Sequence, residues 1–456
     1  NFRKLREYRS PLGNGEGYLF VDKSLLIKEI LGDGSEVIII TRPRRFGKTV
    51  NLSMLQHFFA SQVDDEPTAK LFIDLKISQH ADCMAEQGKY PVIFLSLKDI
   101  KYNNYKESIE KSPVILSELY KSYDSQLDAK KISRNDHDYI QSIINKTGTR
   151  IDVENAIQKL LAFLHIYYGV KPVLLIDEYD TPIQQSYTHG FYKEFLPFFR
   201  NCLSGALKDS SNLTKGILTG ILRVSKESLF SDLNNIKVYS VLSKKYSEYF
   251  GFSEAEVDYL FKKQGLDTID KEKIKQWYNG YSFGESIVYN PWSIINCLSE
   301  EGLFKAYWVN TSSNDLIRML MIKSGKETQE KLSILLSGKT IKESIDEHIV
   351  FRDLEKNRAA IWGLFLMSGY LKALSIDFTH NNQICELAIP NKEIELLYNQ
   401  ITRDWLAGDR GIIWYQELLS DLVEGRAEHF EQKMQDAINE MASYHDTNKR
   451  TQETFY

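Results

Sequence analysis

The chain has 456 residues, more than one hydrophobic core usually carries, so two or three domains are expected. Its 43% hydrophobic and 26% charged residues, with 26 Tyr and 23 Phe, exclude a disordered chain, and a formal net charge of −5 excludes a global pull toward nucleic acid. Cys83, Cys202, Cys297 and Cys385 are far apart, with no Cys-x-x-Cys pair and no His at zinc-finger spacing, which points to isolated thiols in a reducing cytoplasm.

The N-terminal residues do not form a secretory signal, and the absence of an initial Met suggests trimming. No apolar run approaches the roughly 18 residues needed to span a bilayer, so no membrane association is expected. The first strand pattern, Val37-Ile-Ile-Ile40 with Thr41, feeds Arg42-Pro-Arg-Arg-Phe-Gly-Lys48-Thr49. A strand, a tight turn and a helix beginning at Lys48 read as a phosphate-binding loop. Lys48 would neutralise the β and γ phosphates of ATP, and the Thr49 hydroxyl would ligate Mg²⁺. Arg42 stands where the usual motif has glycine, so Arg42, Arg44 and Arg45 would put three extra positive charges near the phosphates, and Pro43 stiffens the turn. The nucleotide contacts are expected from Arg42 through Val50, with Phe46 and Gly47 inside the loop. The plainer alternative is an ordinary turn opening an exposed helix.

A second strand pattern covers Val92–Leu97, and Lys101 to about Gly148 is charged and helical, an insertion between sheet elements. Val173-Leu-Leu-Ile176 is a buried-strand run ending in Asp177-Glu178. A P-loop ATPase places there a carboxylate on the Mg²⁺ side followed by one that activates water. An acidic pair after a strand is unremarkable by itself; together with the loop it defines one crevice where both strand ends meet. Further strands are expected at Ile217–Ile221 and Val238–Leu242. Alternation of strands and helices over residues 1–245 predicts an α/β domain with a parallel sheet sandwiched by helices.

Past Tyr246 the pattern changes, with Ser253 capping a helix that opens on Glu254 and Glu256. Residues 246–340 read as a helical lid. Within it, Trp277-Tyr-Asn-Gly-Tyr-Ser-Phe-Gly284 and Tyr289-Asn-Pro-Trp292 are aromatic turns that suit a packed hinge better than a ligand cage. Residues 341–456 read as helices, short strands near Gly369–Leu374 and Gln383–Ala388, and helix from about Lys392 to the end. Helices followed by a hairpin suggest a winged-helix element, either a lid or a reader of DNA. No dense basic stretch accompanies it.

Phe20-Val-Asp-Lys23, Thr41-Arg-Pro-Arg-Arg-Phe-Gly-Lys-Thr49, Leu175-Ile-Asp-Glu-Tyr-Asp-Thr-Pro182 and Thr219-Gly-Ile-Leu-Arg223 occur in order, followed by Trp277–Gly284 and Tyr307-Trp-Val-Asn-Thr311. With these motifs the chain resembles the bacterial AAA-ATPase-like family often fused to a PD-(D/E)XK nuclease-like domain. The resemblance implies that the arginine-rich loop is the family's norm. It also implies an extra strand between the loop strand and the carboxylate strand, with a sensor residue on it. Thr219 fits that role, although a Thr ending a strand before Gly220 is the simpler account. Arg223 either reaches the γ-phosphate in cis or pairs with Asp177, Glu178 or Asp180. The implied activity is ATP hydrolysis with Mg²⁺ between Thr49 and Asp177 and Glu178 as the base. The alternatives are a slow nucleotide-gated module whose C-terminal region binds DNA or protein, and, more weakly, a small-molecule kinase. No separated Asp and Glu-x-Lys set is found near the end given, so a nuclease site would belong to a longer native chain.

Overall fold

In the computed structural model, the described residues are 1–8, 17–127, 132–208, 210–223, 235–309, 326–347, 357–379, 382–407 and 411–436, together with Leu320, Phe351 and Leu354. Asn310, Thr311 and the end of the C-terminal helical expectation, residues 437–456, lie outside them.

Five strands form the central sheet: β1 (Val37–Thr41), β2 (Val92–Ser96), β3 (Val173–Asp177), β4 (Lys215–Gly220) and β5 (Ile236–Tyr239), in the order β2-β3-β4-β1-β5 and parallel throughout. β1 and β3 are buried along their whole length, as largely apolar runs must be when helices cover both faces. β4 pairs with β1 on one side and β3 on the other, so the strand expected between the loop strand and the carboxylate strand is present. The register aligns Thr219 with Ile40 on one side and with Asp177 on the other, while Asp177 also faces Ser96 of β2.

Several strand boundaries differ from the sequence reading, among them the strand expected near Gly369–Leu374, which runs Lys372–Thr379, and two carboxyl ends differ for a local reason. β4 stops at Gly220 because the next two amides, of Ile221 and Leu222, donate to Asp180 Oδ2 at 2.9 and 2.8 Å instead of extending the ladder. β5 ends at Tyr239 because Ser240 and Ser243 close a turn, through Ser243 N–H to Ser240 O and Ser240 N–H to Ser243 Oγ. The charged insertion is helical over Tyr105–Lys121 and Arg134–Ile144, and both helices pack near α2 (Arg150–Tyr168). α2 has a capping box built by Thr149 and Asp152, and it packs against α3 (Tyr192–Leu207).

α1 (Lys48–Phe59) follows β1 directly and is buried over Leu52, Met54, Leu55, Phe58 and Phe59, the spacing that a helix needs to lie on a sheet. The main apolar core runs from the sheet without a break into Trp308, Trp362, Phe365 and Leu397 of the second half. A smaller core gathers Val257, Leu260 and Phe261 of α4 (Glu254–Lys263), Ile274 and Tyr278 of α5 (Lys271–Tyr278), and Ile294, Cys297 and Leu298 of α6 (Pro291–Ser299).

The hairpin expected late in the chain is a three-stranded antiparallel sheet. Its strands are β8 (Ile341–Ser344), β9 (Lys372–Thr379) and β10 (Asn382–Ala388), with β10 in the middle. A separate two-stranded ribbon pairs β6 (Tyr281–Phe283) with β7 (Ser286–Val288). α7 (Arg358–Met367) enters β9, and α8 (Lys392–Ala407) follows β10.

Candidate functional site

Every strand of the central sheet ends on the same side, and the loop from Arg42 to Lys48 crosses that edge. Gly47 has φ 81°, the left-handed backbone that glycine takes without strain, and acts as the N-cap of α1. Arg45 has φ 69° and Glu178 φ 53°, unfavourable for residues with a Cβ. Strained residues of this kind concentrate where the backbone has work beyond packing.

Lys48 is 5% exposed, and its Nζ donates to the carbonyl oxygens of Arg42 and Pro43 at 3.0 and 2.9 Å. Burial lowers its pKa below the usual lysine range, Glu178, Asp177 and Asp180 oppose that shift, and the Arg44 charge adds to it. Thr49 Oγ1 donates to Asp177 Oδ2 at 2.6 Å, and Thr219 Oγ1 donates to Asp177 Oδ1 at 2.6 Å. Asp177 is fully buried, so the two hydroxyls offset the cost of holding its charge away from water. Two expected site residues from separate parts of the chain thus converge on a third, the Asp177 carboxylate.

Glu178 is half-buried beside them, and Thr181 Oγ1 donates to its Oε2 at 3.2 Å. Asp180 is occupied by the Ile221 and Leu222 amides, and burial raises its pKa above the usual carboxylate range. A side chain at Gly220 would put its Cβ 2.5 Å from Asp180 Oδ1, so this bend requires glycine. Arg223 is not joined to Asp177, Glu178 or Asp180. The carboxylates whose charge acts on it are Glu347 and Asp346, and its Nε is buried without a hydrogen-bond partner.

The three loop arginines, expected near the phosphates, differ in their surroundings. Arg42 has no exposed surface, and its Nη1 donates to the carbonyls of Thr41, Tyr239 and Ser240 at 2.7, 3.1 and 2.8 Å. Its guanidinium also lies 5.3 Å from the ring centre of Phe250 and 5.2 Å from that of Phe283. Burial lowers the Arg42 pKa to about 9. The side chain is a clamp between the loop and the end of β5, with its charge turned to backbone carbonyls. Arg45 stacks over Trp292 at 4.2 Å. Phe46 is fully buried, edge-on to Tyr281 and Phe283 at 4.8 and 5.1 Å. Arg44, whose charge acts on Lys48, accepts the Trp308 Nε1–H on its carbonyl at 3.1 Å.

The aromatic turns pack against the loop from Arg42 to Lys48. The contacts of Trp292, Trp308, Tyr281 and Phe283 with the loop were not foreseen. The only sequence trace was their density in residues 277–308.

An all-parallel five-stranded sheet sandwiched by helices, with the loop and the carboxylate strand separated by one strand, is a P-loop α/β fold. Residues 7–230 match the AAA-ATPase-like family, described as Predicted AAA-ATPase. The chain is also similar to a protein of Azotobacter chroococcum mcd 1 described as "Uncharacterized protein in vnfD 5'region", with 29% identity over 314 residues. That match covers 68% of this chain and 53% of the other protein, so the chain spans about half the length of this relative. Among the described residues, no helix is long and apolar enough to cross a membrane.

Proposed function

We propose that the protein binds ATP with Mg²⁺ at the loop from Arg42 to Val50 and hydrolyses it. The observation that carries this reading is the double hydroxyl contact on Asp177, from Thr49 of the loop and Thr219 of the strand between. Lys48 holds the β and γ phosphates, and the backbone amides of Arg45 to Thr49 line the anion. The donor set fits Mg²⁺, since the Thr49 and Asp177 oxygens are hard ligands, each with a lone pair left beyond the hydrogen bond between them. Among the described residues no cluster of three or more His, Cys, Asp or Glu could hold a metal. An ion shared with nucleotide phosphates needs only one or two protein ligands. When bound, Mg²⁺ supplies neutralising charge to the phosphates.

Glu178 takes the proton of the attacking water, and Thr219 orients that water or meets the γ-phosphate from the adjacent strand. Arg44 and Arg223 would supply positive charge to stabilise the charge developing on the γ-phosphoryl. Residues 326–388 run helix, strand, helix, hairpin, and we read them as a winged-helix lid. In α7 every residue from Ala360 to Met367 is buried, which leaves no face for a DNA groove and favours a lid over a DNA reader. The role of such an ATPase would be a switch or motor for an appended nuclease-like or interaction domain.

The test is phosphate release and nucleotide binding by wild type and Glu178→Gln. The variant is expected to bind ATP as wild type does and to release no phosphate. Equal turnover in the two would remove Glu178 as the base. Transfer of the phosphoryl group to an acceptor other than water would replace hydrolysis with a kinase reaction.

A further inference from the structure

Trp308 reaches the phosphate loop with its ring and the rest of the second half with its backbone. It is 1% exposed, its indole N–H holds the Arg44 carbonyl, and its own backbone N–H donates to Glu393 Oε1 at 2.6 Å. Glu393, in the first turn of α8, has no exposed surface. Its other oxygen accepts the Ser293 hydroxyl at 2.8 Å, next to Trp292, whose ring lies under Arg45. One buried carboxylate thus fixes both chain segments that touch Arg44 and Arg45. Its neighbour Asn391 adds a third tie, donating through Nδ2 to the Asn279 carbonyl at 2.8 Å, just before the ribbon that packs on Phe46.

In a trans peptide the C=O and the following N–H point in opposite directions. The Arg44 carbonyl is bonded outward to Trp308, so the Arg45 N–H of the same peptide is turned the other way. Arg45 is one of the strained residues of the loop, and its left-handed backbone needs an external hold. The Trp308 bond is such a hold.

We propose that Glu393 is a positioning residue for nucleotide binding: through Trp308 it orients the Arg44–Arg45 peptide so that its N–H serves the phosphates, which ties the affinity of the loop to the seating of α8. This rests on the ATP-binding reading of the loop. A buried acid between two neutral donors suits the task because both of its oxygens are satisfied only when Trp308 and Ser293 are both in place. Its pKa is raised to about 7 by burial, so it is also an acid kept close to neutrality rather than one partnered by a cation.

The experiment measures binding of a fluorescent ATP analogue with Mg²⁺ by the full chain, in wild type, Lys48→Ala, Trp308→Phe, Glu393→Ala and Glu393→Gln, with the unfolding midpoint of each recorded without nucleotide. Trp308→Phe keeps an aromatic ring, though a smaller one, and removes the indole donor; about a tenfold loss of affinity is expected, the worth of one hydrogen bond that orders a ligand-facing group. Glu393→Ala should lose as much, and Glu393→Gln, which retains an acceptor for the Trp308 amide, should recover most of it. Trp308→Phe binding as tightly as wild type while Lys48→Ala does not bind would overturn the inference and leave the ATP site standing. Undiminished binding by Lys48→Ala would overturn the ATP site itself. If Glu393→Ala does not fold, Trp308→Phe and Glu393→Gln still decide the matter.

Discussion

The two sides of the phosphate loop are built in opposite ways. On one side Lys48 and Thr49 meet groups of the same sheet edge, the loop's own carbonyls and the Asp177 carboxylate that Thr219 shares. These are polar bonds that a bound phosphate or cation can replace one for one. On the other side Arg42 and Phe46 meet aromatic rings and carbonyls from β5 and the second half, contacts that no ligand could take over without opening the core, while the exposed Arg45 stacks on Trp292. Four positively charged residues within seven positions therefore divide their labour. Charge in a motif says little about which side of the chain it serves until its partners are known.

The sharpest way to break this comparison is to remove one cation from each side. Lys48→Ala should cost roughly a hundredfold or more in ATP affinity, as expected for a desolvated charge opposite phosphate. It should leave the unfolding midpoint unchanged or slightly raised, since its burial is a cost to the free protein. Arg42→Ala should do the reverse. Losing the donor to the Tyr239 and Ser240 carbonyls and the two ring faces should lower stability by roughly 3 kcal/mol in denaturant unfolding, with nucleotide affinity of the folded protein within a few-fold of wild type. An Arg42→Ala protein as stable as wild type but unable to bind nucleotide would move Arg42 to the phosphate side.

A third measurement sharpens the contrast from the hinge. Burial pushes the Glu393 pKa up from 4.5 to about 7 in the folded protein, so the folded state keeps a proton that the unfolded chain releases. Its neutral form contributes stability in full below about pH 4.5, and that contribution is lost as the pH rises toward 7. Tyr278, Tyr281 and Tyr307 surround it and stay neutral across this window, their own pKa values raised by burial and by its charge. Glu393→Gln should flatten that part of the stability profile by roughly 2 kcal/mol. An unchanged slope would mean that the carboxylate reaches water.

What could be read from the sequence follows from how local each cause is. β1, β3 and the Asp177-Glu178 pair are legible because an apolar run, a turn and the next residues lie within one stretch. Thr219 could be singled out only with the family in view, since its bond to Asp177 depends on β4 lying between β1 and β3. β8 went unseen because Ile341-Lys-Glu-Ser344 is short, charged and at an edge, with one fully buried residue to mark it. The directions of the arginines were illegible for a different reason. Their partners, Tyr239, Phe250, Phe283, Trp292 and Trp308, lie some two hundred residues or more away, and nothing in the loop's own spelling distinguishes a guanidinium facing phosphate from one facing indole.

Arg45 is where the comparison is most finely balanced, because it is exposed at the loop and its guanidinium stacks on Trp292 of the second half. A cation over an accessible indole is worth about 0.5–1 kcal/mol. A double-mutant cycle of Arg45→Ala and Trp292→Leu should therefore return a coupling of that size in stability, with nucleotide affinity falling by less than fivefold in either single variant, a long-range loss of one charge. If Arg45→Ala instead costs nearly as much ATP affinity as Lys48→Ala, the stacked guanidinium exchanges indole for phosphate on binding. The hinge would then give up one of its own contacts to the nucleotide, so that closing the site and loosening Trp292 become a single event. A coupling that vanishes when saturating nucleotide is present would separate this exchange from a loop that is merely misfolded, since a misfolded loop would lose the coupling with and without ligand.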